Sequence, residues 1–193
     1  MLTNLLPYKI ILGSNSPRRK ELLAGLGLRF DVRPMPGLDE SYPASLKAGD
    51  IALYIAARKA EAYLPSLQED ELLITADTLV CIHNEVLGKP AGRADAICML
   101  QTLSGQTHEV ITGVCLTTHS KSVSFSVTST VRFAPLSDDD IIYYIDNFHP
   151  YDKAGAYGIQ EWIGYVAVEG IQGSFYNVMG LPIQRVYQEL RIF

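Results

Sequence analysis

The chain is poor in charge. Asp, Glu, Lys and Arg make up 19% of its 193 residues, while 48% are apolar. An average soluble protein carries about 25% charged residues, so a disordered, charge-driven chain is excluded. Long apolar runs are also missing. The longest stretch without a charge, Gly170 to Gln184, has 15 residues and holds three glycines and a proline. A membrane span needs about 18 or more consecutive apolar residues, so none is expected. The opening MLTNLLPYKI has no basic residue ahead of its short apolar run and no small-residue cleavage site, and does not read as a secretory signal. Basic residues are in deficit: 16 Lys and Arg against 21 Asp and Glu give a net charge of −5. That argues against a broad nucleic-acid surface, although a few cations suffice for a small polyanion. Cysteines are few. Cys81, Cys98 and Cys115 are odd in number and form no C-x-x-C pair, so neither a disulfide framework nor a zinc site is expected. A reducing cytoplasm is the simplest setting. His83, His108, His119 and His149 are scattered and suggest packing or surface positions. The length fits one domain, residues 1–193.

What is present alternates between short apolar runs and helical patterns. Tyr8 to Leu12 reads as a buried strand, followed by the turn Gly13-Ser14-Asn15. Ser16 as N-cap and Pro17 at the first helical position start a helix that Gly27 ends. Phe30 to Arg33 suggests a short strand, and Pro34 to Ala48 a loop carrying the acidic pair Asp39-Glu40. Asp50 is expected to cap a helix from Ile51 to about Leu64. Leu72 to Ala76 reads as a buried strand ending on Asp77, with a hairpin of Thr78 to Ile82 and Glu85 to Leu87 beyond it. Arg93 to Leu103 is a helix, and Val110 to Thr118 with Val123 to Phe133 an antiparallel pair. Ser137 and Asp140 form a capping box, Lys153 to Gln160 is glycine-rich, and Pro182 opens a last helix. Helices interleaved with strands indicate an α/β domain with a mixed sheet.

Several residues could carry chemistry. Backbone N–H groups at a helix N-terminus attract anions, and Ser14 and Ser16 add hydroxyl donors there. Arg18 and Arg19 lie in the first turn, where positive charge opposes the helix dipole. The pattern suits anion binding; it also describes an ordinary capped helix with a solvated arginine pair. The spacing is not that of a P-loop. Asp77, read as a strand end, would stand at the carboxyl edge of a sheet, where open α/β sheets bind ligands; a turn aspartate is the other reading. Glu40 could be a ligand or part of a solvated loop, Lys59 a contact or a solvated helix face, and Lys89 a pointed cation or a plain turn residue. Together these types form the set that phosphoryl chemistry uses, with carboxylates for Mg²⁺ and cations for phosphate charge.

The motifs extend further. LGSNSPRR (Leu12–Arg19), Asp39-Glu40, ARKA (Ala57–Ala60), ADTLV (Ala76–Val80) and GKP (Gly88–Pro90) are followed by LSGQTHEVITGV (Leu103–Val114), DKAGAYGIQ (Asp152–Gln160) and GSFYNVMGLP (Gly173–Pro182). In this order, and over nearly the whole chain, they resemble the Maf family of nucleoside triphosphate pyrophosphatases. Gly13 stands where that family more often has Ala. The resemblance implies a two-lobed mixed-sheet α/β fold similar to inosine triphosphate pyrophosphatases, with a cleft between the lobes. It implies hydrolysis of a nucleoside triphosphate to the monophosphate and pyrophosphate, with Mg²⁺ or Mn²⁺ as cofactor, and a possible homodimer. No nucleic-acid or membrane partner is expected. Asp77 would be the proton acceptor, with Glu40 and Asp77 on the metal. Ser14, Ser16, Arg18, Lys59 and Lys89 would meet the triphosphate, and Arg18, Thr78 and Gln160 would bear on base choice. DKAGAYGIQ resembles the branch acting on dTTP and UTP. A Gln amide can accept from the N3–H of uracil or thymine and donate to O4; flipped, it could serve cytosine. Two alternatives stand beside this reading. One is a non-catalytic regulator of septum formation. The other is the same chemistry on a modified or purine nucleotide.

Overall fold

The computed structural model describes residues 2–193. Its elements in chain order are β1 (Lys9–Leu12), α1 (Pro17–Ala24), β2 (Phe30–Val32), α2 (Ala48–Tyr63), β3 (Glu71–Ile82), β4 (Glu85–Leu87) and α3 (Arg93–Leu103). There follow β5 (Thr107–Thr117), β6 (Ser122–Phe133), α4 (Asp138–Phe148), α5 (Trp162–Ala167), β7 (Val168–Gln172), α6 (Phe175–Met179) and α7 (Ile183–Ile192). The strands form one seven-stranded sheet in the order β2-β1-β3-β5-β6-β7, with β4 paired to β3. β1 runs parallel to β2 and β3, whereas β4 is antiparallel to β3 and β7 to β6. The sheet is therefore mixed. Among the described residues no helix is long and apolar enough to cross a membrane.

The chain divides into two compact units. The first comprises Met1–Asp77, Thr112–Val127 and Gly180–Phe193; the second comprises Thr78–Ile111 and Thr128–Met179. In the first unit, Ile11, Ala60, Tyr63, Leu67, Leu73 and Cys115 form a buried cluster on which Met35 and Leu38 of the long loop also pack. Helix α2 approaches the sheet closely. A Cβ on Gly113 of β5 would lie 2.3 Å from the Ala52 carbonyl oxygen, so only glycine fits between helix and strand. In the second unit, Leu100, Leu103, Val131, Phe133, Ile141, Tyr144, Ile145 and Ile163 are buried. The Ser137–Asp140 capping box is formed in full at α4.

Three expectations are corrected. The hairpin segment Thr78 to Ile82 is not separate from Leu72 to Ala76, because β3 runs unbroken through Asp77. Asp77 is thus mid-strand rather than at a strand end, and its carboxylate is buried against a lysine partner instead of bending the chain. Asp50 does not cap α2; the helix starts two residues earlier behind Lys47, and Asp50 sits in its first turn, where it still complements the helix dipole. Helix α1 ends at Ala24 with Gly25 as C-cap; Gly27 (φ +70°) follows in the left-handed turn.

Candidate active site

The first unit gathers most of the charged candidates. β1 delivers the chain to Gly13, whose N–H bonds Ile74 O of β3 at 2.9 Å. Side chains crowd this glycine. A Cβ there would meet Thr75 Cγ2 at 3.0 Å, and Leu73 Cδ1 and Tyr63 Cε2 at 3.2 Å. Beyond it, the Ser14 hydroxyl oxygen accepts the Ser16 N–H at 3.2 Å, and the Ser16 hydroxyl oxygen accepts the Arg19 N–H at 3.4 Å as helix N-cap. The two arginines are not equivalent. Arg19 Nε donates to Gly180 O at 2.8 Å and Nη1 to Ser14 Oγ at 3.4 Å, so its guanidinium is held back along the turn. Desolvation lowers the pKa of Arg19, and the neighbouring charge of Arg18 lowers it further; the carboxylates of Asp77 and Glu40 oppose this.

Strand β3 and helix α2 set the centre. Thr75 donates its hydroxyl proton to Ala56 O at 2.8 Å, which fixes the register of helix against strand. Asp77 is two residues on, on the same strand face, and Lys59 is nearly one helical turn on from Ala56. The two side chains therefore meet: Lys59 Nζ lies 2.7 Å from Asp77 Oδ1. The same nitrogen lies 2.7 Å from Glu40 Oε1. Two carboxylates thus converge on one ammonium, and their oxygens can be no further apart than twice that distance. The Asp77 and Lys59 side chains are only 12% and 13% exposed, so each needs the other; Glu40 is 46% exposed. Asp39 takes no part in this cluster. Its carboxylate accepts the Ser41 N–H at 2.9 Å and the Ser41 hydroxyl at 2.7 Å, which holds its pKa below the usual carboxylate range. Leu38, the residue before the pair, packs on the buried cluster.

The remaining candidates belong to the second unit. Thr78 follows Asp77 on β3 and its side chain takes the opposite strand face. Lys89 is exposed, between Gly88, whose carbonyl accepts the Gly155 N–H at 3.0 Å, and the buried Pro90. Gln160 is half-buried, and its Oε1 is buried with no hydrogen-bond partner among the described residues.

A family model described as Maf-like protein matches residues 9–193. The chain belongs to the Maf-like protein family. A curated relative from Parabacteroides distasonis, a dTTP/UTP pyrophosphatase, is 60% identical over 193 residues, covering all of both chains. Another dTTP/UTP pyrophosphatase, from Phocaeicola vulgatus, is 59% identical over 191 residues and covers 99% of each chain. A solved HAM1 protein from Coxiella burnetii shares the fold with a TM-score of 0.51, at 14% identity, over 96% of this chain and all of that one. The mixed α/β architecture expected from the sequence is therefore the architecture found. The Maf-like motifs LGSNSPRR, Asp39-Glu40, ARKA and ADTLV supply the residues that cluster in the first unit.

Tyr144, Lys153 and Glu161 form a further arrangement in the second unit: the Tyr144 hydroxyl donates to Glu161 Oε2, and Glu161 Oε1 lies 3.0 Å from Lys153 Nζ. Arg19 was visible as half of a basic pair, but nothing in the spacing separates the arginine that turns back to Ser14 and Gly180 from its neighbour. Lys153 lies in the DKAGAYGIQ motif, whereas Tyr144 and Glu161 have no such signal. Glu161 lies 17 residues from Tyr144 and 8 from Lys153, across segments that read as an ordinary helix and a glycine-rich loop.

Proposed function

We propose that this protein hydrolyses nucleoside triphosphates, dTTP and UTP foremost, to the nucleoside monophosphate and pyrophosphate. The observation that carries the reading is the Lys59 ammonium held at 2.7 Å from both Glu40 and Asp77, in the same unit as the capped turn from Ser14 to Arg19. The family and the names of the curated relatives support it.

In this reading water attacks the α-phosphorus. Its oxygen forms the new P–O bond, the bond to the bridging oxygen of the β-phosphate breaks, and pyrophosphate leaves with that oxygen. Asp77 orients the water and takes its proton. Ser14, Ser16, the N–H groups of the turn, Arg18, Lys59 and Lys89 meet the phosphate charge, as cationic clamps do in phosphoryl transfer. Arg18, Thr78 and Gln160 are assigned to base choice, Gln160 through the donor–acceptor pair of its amide.

A divalent cation, Mg²⁺ or Mn²⁺, belongs to the proposal, and the donor set fits it. Among the described residues no three His, Cys, Asp or Glu side chains converge to form a closed cage, but two carboxylates do converge, at Lys59. One or two carboxylates completed by substrate phosphate oxygens is the habit of Mg²⁺ sites. Glu40 and Asp77 would hold the ion, which when bound supplies Lewis-acid polarisation of the phosphate and of water. A cytoplasmic location and a homodimer complete the reading.

The test is pyrophosphate release from a panel of nucleoside triphosphates with Mg²⁺, beside Asp77→Asn. Release from dTTP and UTP that disappears in the variant is the expected result. A silent panel with folded protein would refute the proposal.

A further inference from the structure

Ser14 and Ser16 stand two residues apart in the turn before α1, and their hydroxyls are not equivalent. The Ser16 oxygen accepts one bond, from the Arg19 N–H, as an ordinary helix cap. The Ser14 oxygen accepts two, from the Ser16 N–H at 3.2 Å and from Arg19 Nη1 at 3.4 Å. A serine hydroxyl has one proton and two lone pairs. Both lone pairs of Ser14 therefore face donors. Its proton takes no acceptor among the described residues.

Arg19 is in turn held from behind. Its Nε donates to the Gly180 carbonyl at 2.8 Å. Gly180 adopts φ +121° and Leu181 after it is fully buried, so this acceptor is fixed just ahead of α7. Nε and Nη1 belong to one planar fork, so seating Nε on Gly180 O limits where Nη1 can reach. It reaches Ser14. The contact of 3.4 Å is long for a hydrogen bond, but the guanidinium also orients the hydroxyl through its charge. The oxygen turns to the cation and the hydrogen turns away. The same guanidinium lies in the field of the Asp77 and Glu40 carboxylates. The turn and the carboxylate pair, all in the first unit, are thus joined electrostatically through Arg19.

We propose that Arg19 is a positioning residue that makes the Ser14 hydroxyl a dedicated hydrogen-bond donor toward a phosphate oxygen of the nucleotide. The inference rests on the triphosphate role given to Ser14 above. Arg18, Lys59 and Lys89 meet phosphate charge directly, whereas Arg19 acts through Ser14. An ionised phosphate oxygen is an acceptor, and a hydroxyl that turned a lone pair toward it would repel it. With both lone pairs occupied, that orientation is removed before the nucleotide arrives, and no reorganisation is needed on binding.

The experiment is a double-mutant cycle on kcat/KM for dTTP with the wild type, Ser14→Ala, Arg19→Gln and the double variant. Each single variant should lose about thirtyfold, the worth of one hydrogen bond to a charged group. The loss should fall mainly on KM. The double variant should stand within about threefold of the weaker single variant, because Arg19 then has no hydroxyl to position. A loss beyond that, up to the product of about a thousandfold, would mean that Arg19 meets the substrate on its own and would overturn the positioning role. Arg19→Lys keeps the charge without the fork. Its smaller fall should also vanish in the Ser14→Ala background, and it carries the test if Arg19→Gln does not fold. A loss of stability with KM unchanged would mark Arg19 as structural only, which overturns the inference as well. Titration of the same proteins with inorganic pyrophosphate repeats the cycle without turnover. A wild type that binds pyrophosphate with this coupling and hydrolyses no triphosphate would refute the proposed reaction alone. Ser14→Ala with kcat/KM and pyrophosphate affinity both unchanged would remove Ser14 from the site, and this inference with it.

Discussion

His108 offers a sharp test of how the second unit is held together. It is 2% exposed and packed edge-on against Phe133 and Tyr157. Its Nε2 lies 2.8 Å from the Tyr157 hydroxyl, while Nδ1 is buried without a partner among the described residues. A neutral ring can leave its lone pair at Nδ1; an imidazolium would have to bury an N–H there with nothing to accept it. Desolvation accordingly pushes the pKa down from 6.5 to about 4. In the unfolded chain the same ring titrates near 6.5. Between those values the unfolded state binds more protons, so stability is full above pH 6.5, falls as pH drops, and levels off below about 4. From pH 7.5 to 4.5 this one residue should cost about 2.5 kcal/mol, a large share of a typical 5–15 kcal/mol. The assay is urea unfolding at pH 7.5, 6.0 and 4.5 for the wild type and His108→Gln, whose amide nitrogen can replace Nε2 toward Tyr157. The carboxylates titrate in both proteins, so the difference between the two curves isolates the imidazole. The variant should be the weaker protein at pH 7.5 and should recover about 2.5 kcal/mol relative to wild type by pH 4.5. Parallel curves would refute the reasoning, because they would mean that the ring is protonated as easily folded as unfolded.

Other outcomes are equally open to measurement. Lys59→Met should lower kcat/KM by about a thousandfold, and it leaves Glu40 and Asp77 facing each other without their cation. The folded variant should also lose about 2 kcal/mol by urea unfolding. Gly113→Ala places a methyl against Ala52 O and should cost about 3 kcal/mol, seen as a fall in Tm of roughly 6–12 °C. Since α2 also carries Lys59, its activity at a permissive temperature should fall as well. Ser16→Ala removes the N-cap acceptor of α1 and should cost about 1 kcal/mol in urea unfolding. If Ser16 also meets phosphate, KM should rise beyond what that small loss explains.

The elements with strong local signals are present in the structure. β1, the Ser16-Pro17 helix start, the Ser137–Asp140 box and the β5–β6 segments each rest on neighbours in sequence. Two causes account for what was not legible. Asp77 inside an apolar run looks like a stop, because burying a carboxylate is costly unless it is paired. The pairing comes from Lys59, 18 residues away on a helix whose register depends on the Thr75–Ala56 bond. Short α5 and α6, of 6 and 5 residues, offer too few positions for a helical period to show. The same limit applies to the candidate site. The resemblance already implied Glu40 rather than Asp39, but not that its carboxylate meets the Lys59 ammonium, which depends on tertiary placement. The Tyr144–Glu161–Lys153 arrangement depends wholly on tertiary placement.

The two carboxylates differ in how they are anchored, and this bears on how activity should fail. Asp77 sits in the middle of a buried strand of twelve residues. Its backbone amide should be among the slowest in the chain to exchange with deuterium, opening only with the sheet. Glu40 lies at the start of a run from residue 39 to 45 in which every side chain is exposed, so its segment should open and close many times before β3 does. If catalysis uses both carboxylates, as proposed, it requires Glu40 to be seated on Lys59. In a urea titration turnover should fade well before the sheet melts, and exchange at residues 39–45 should track that loss.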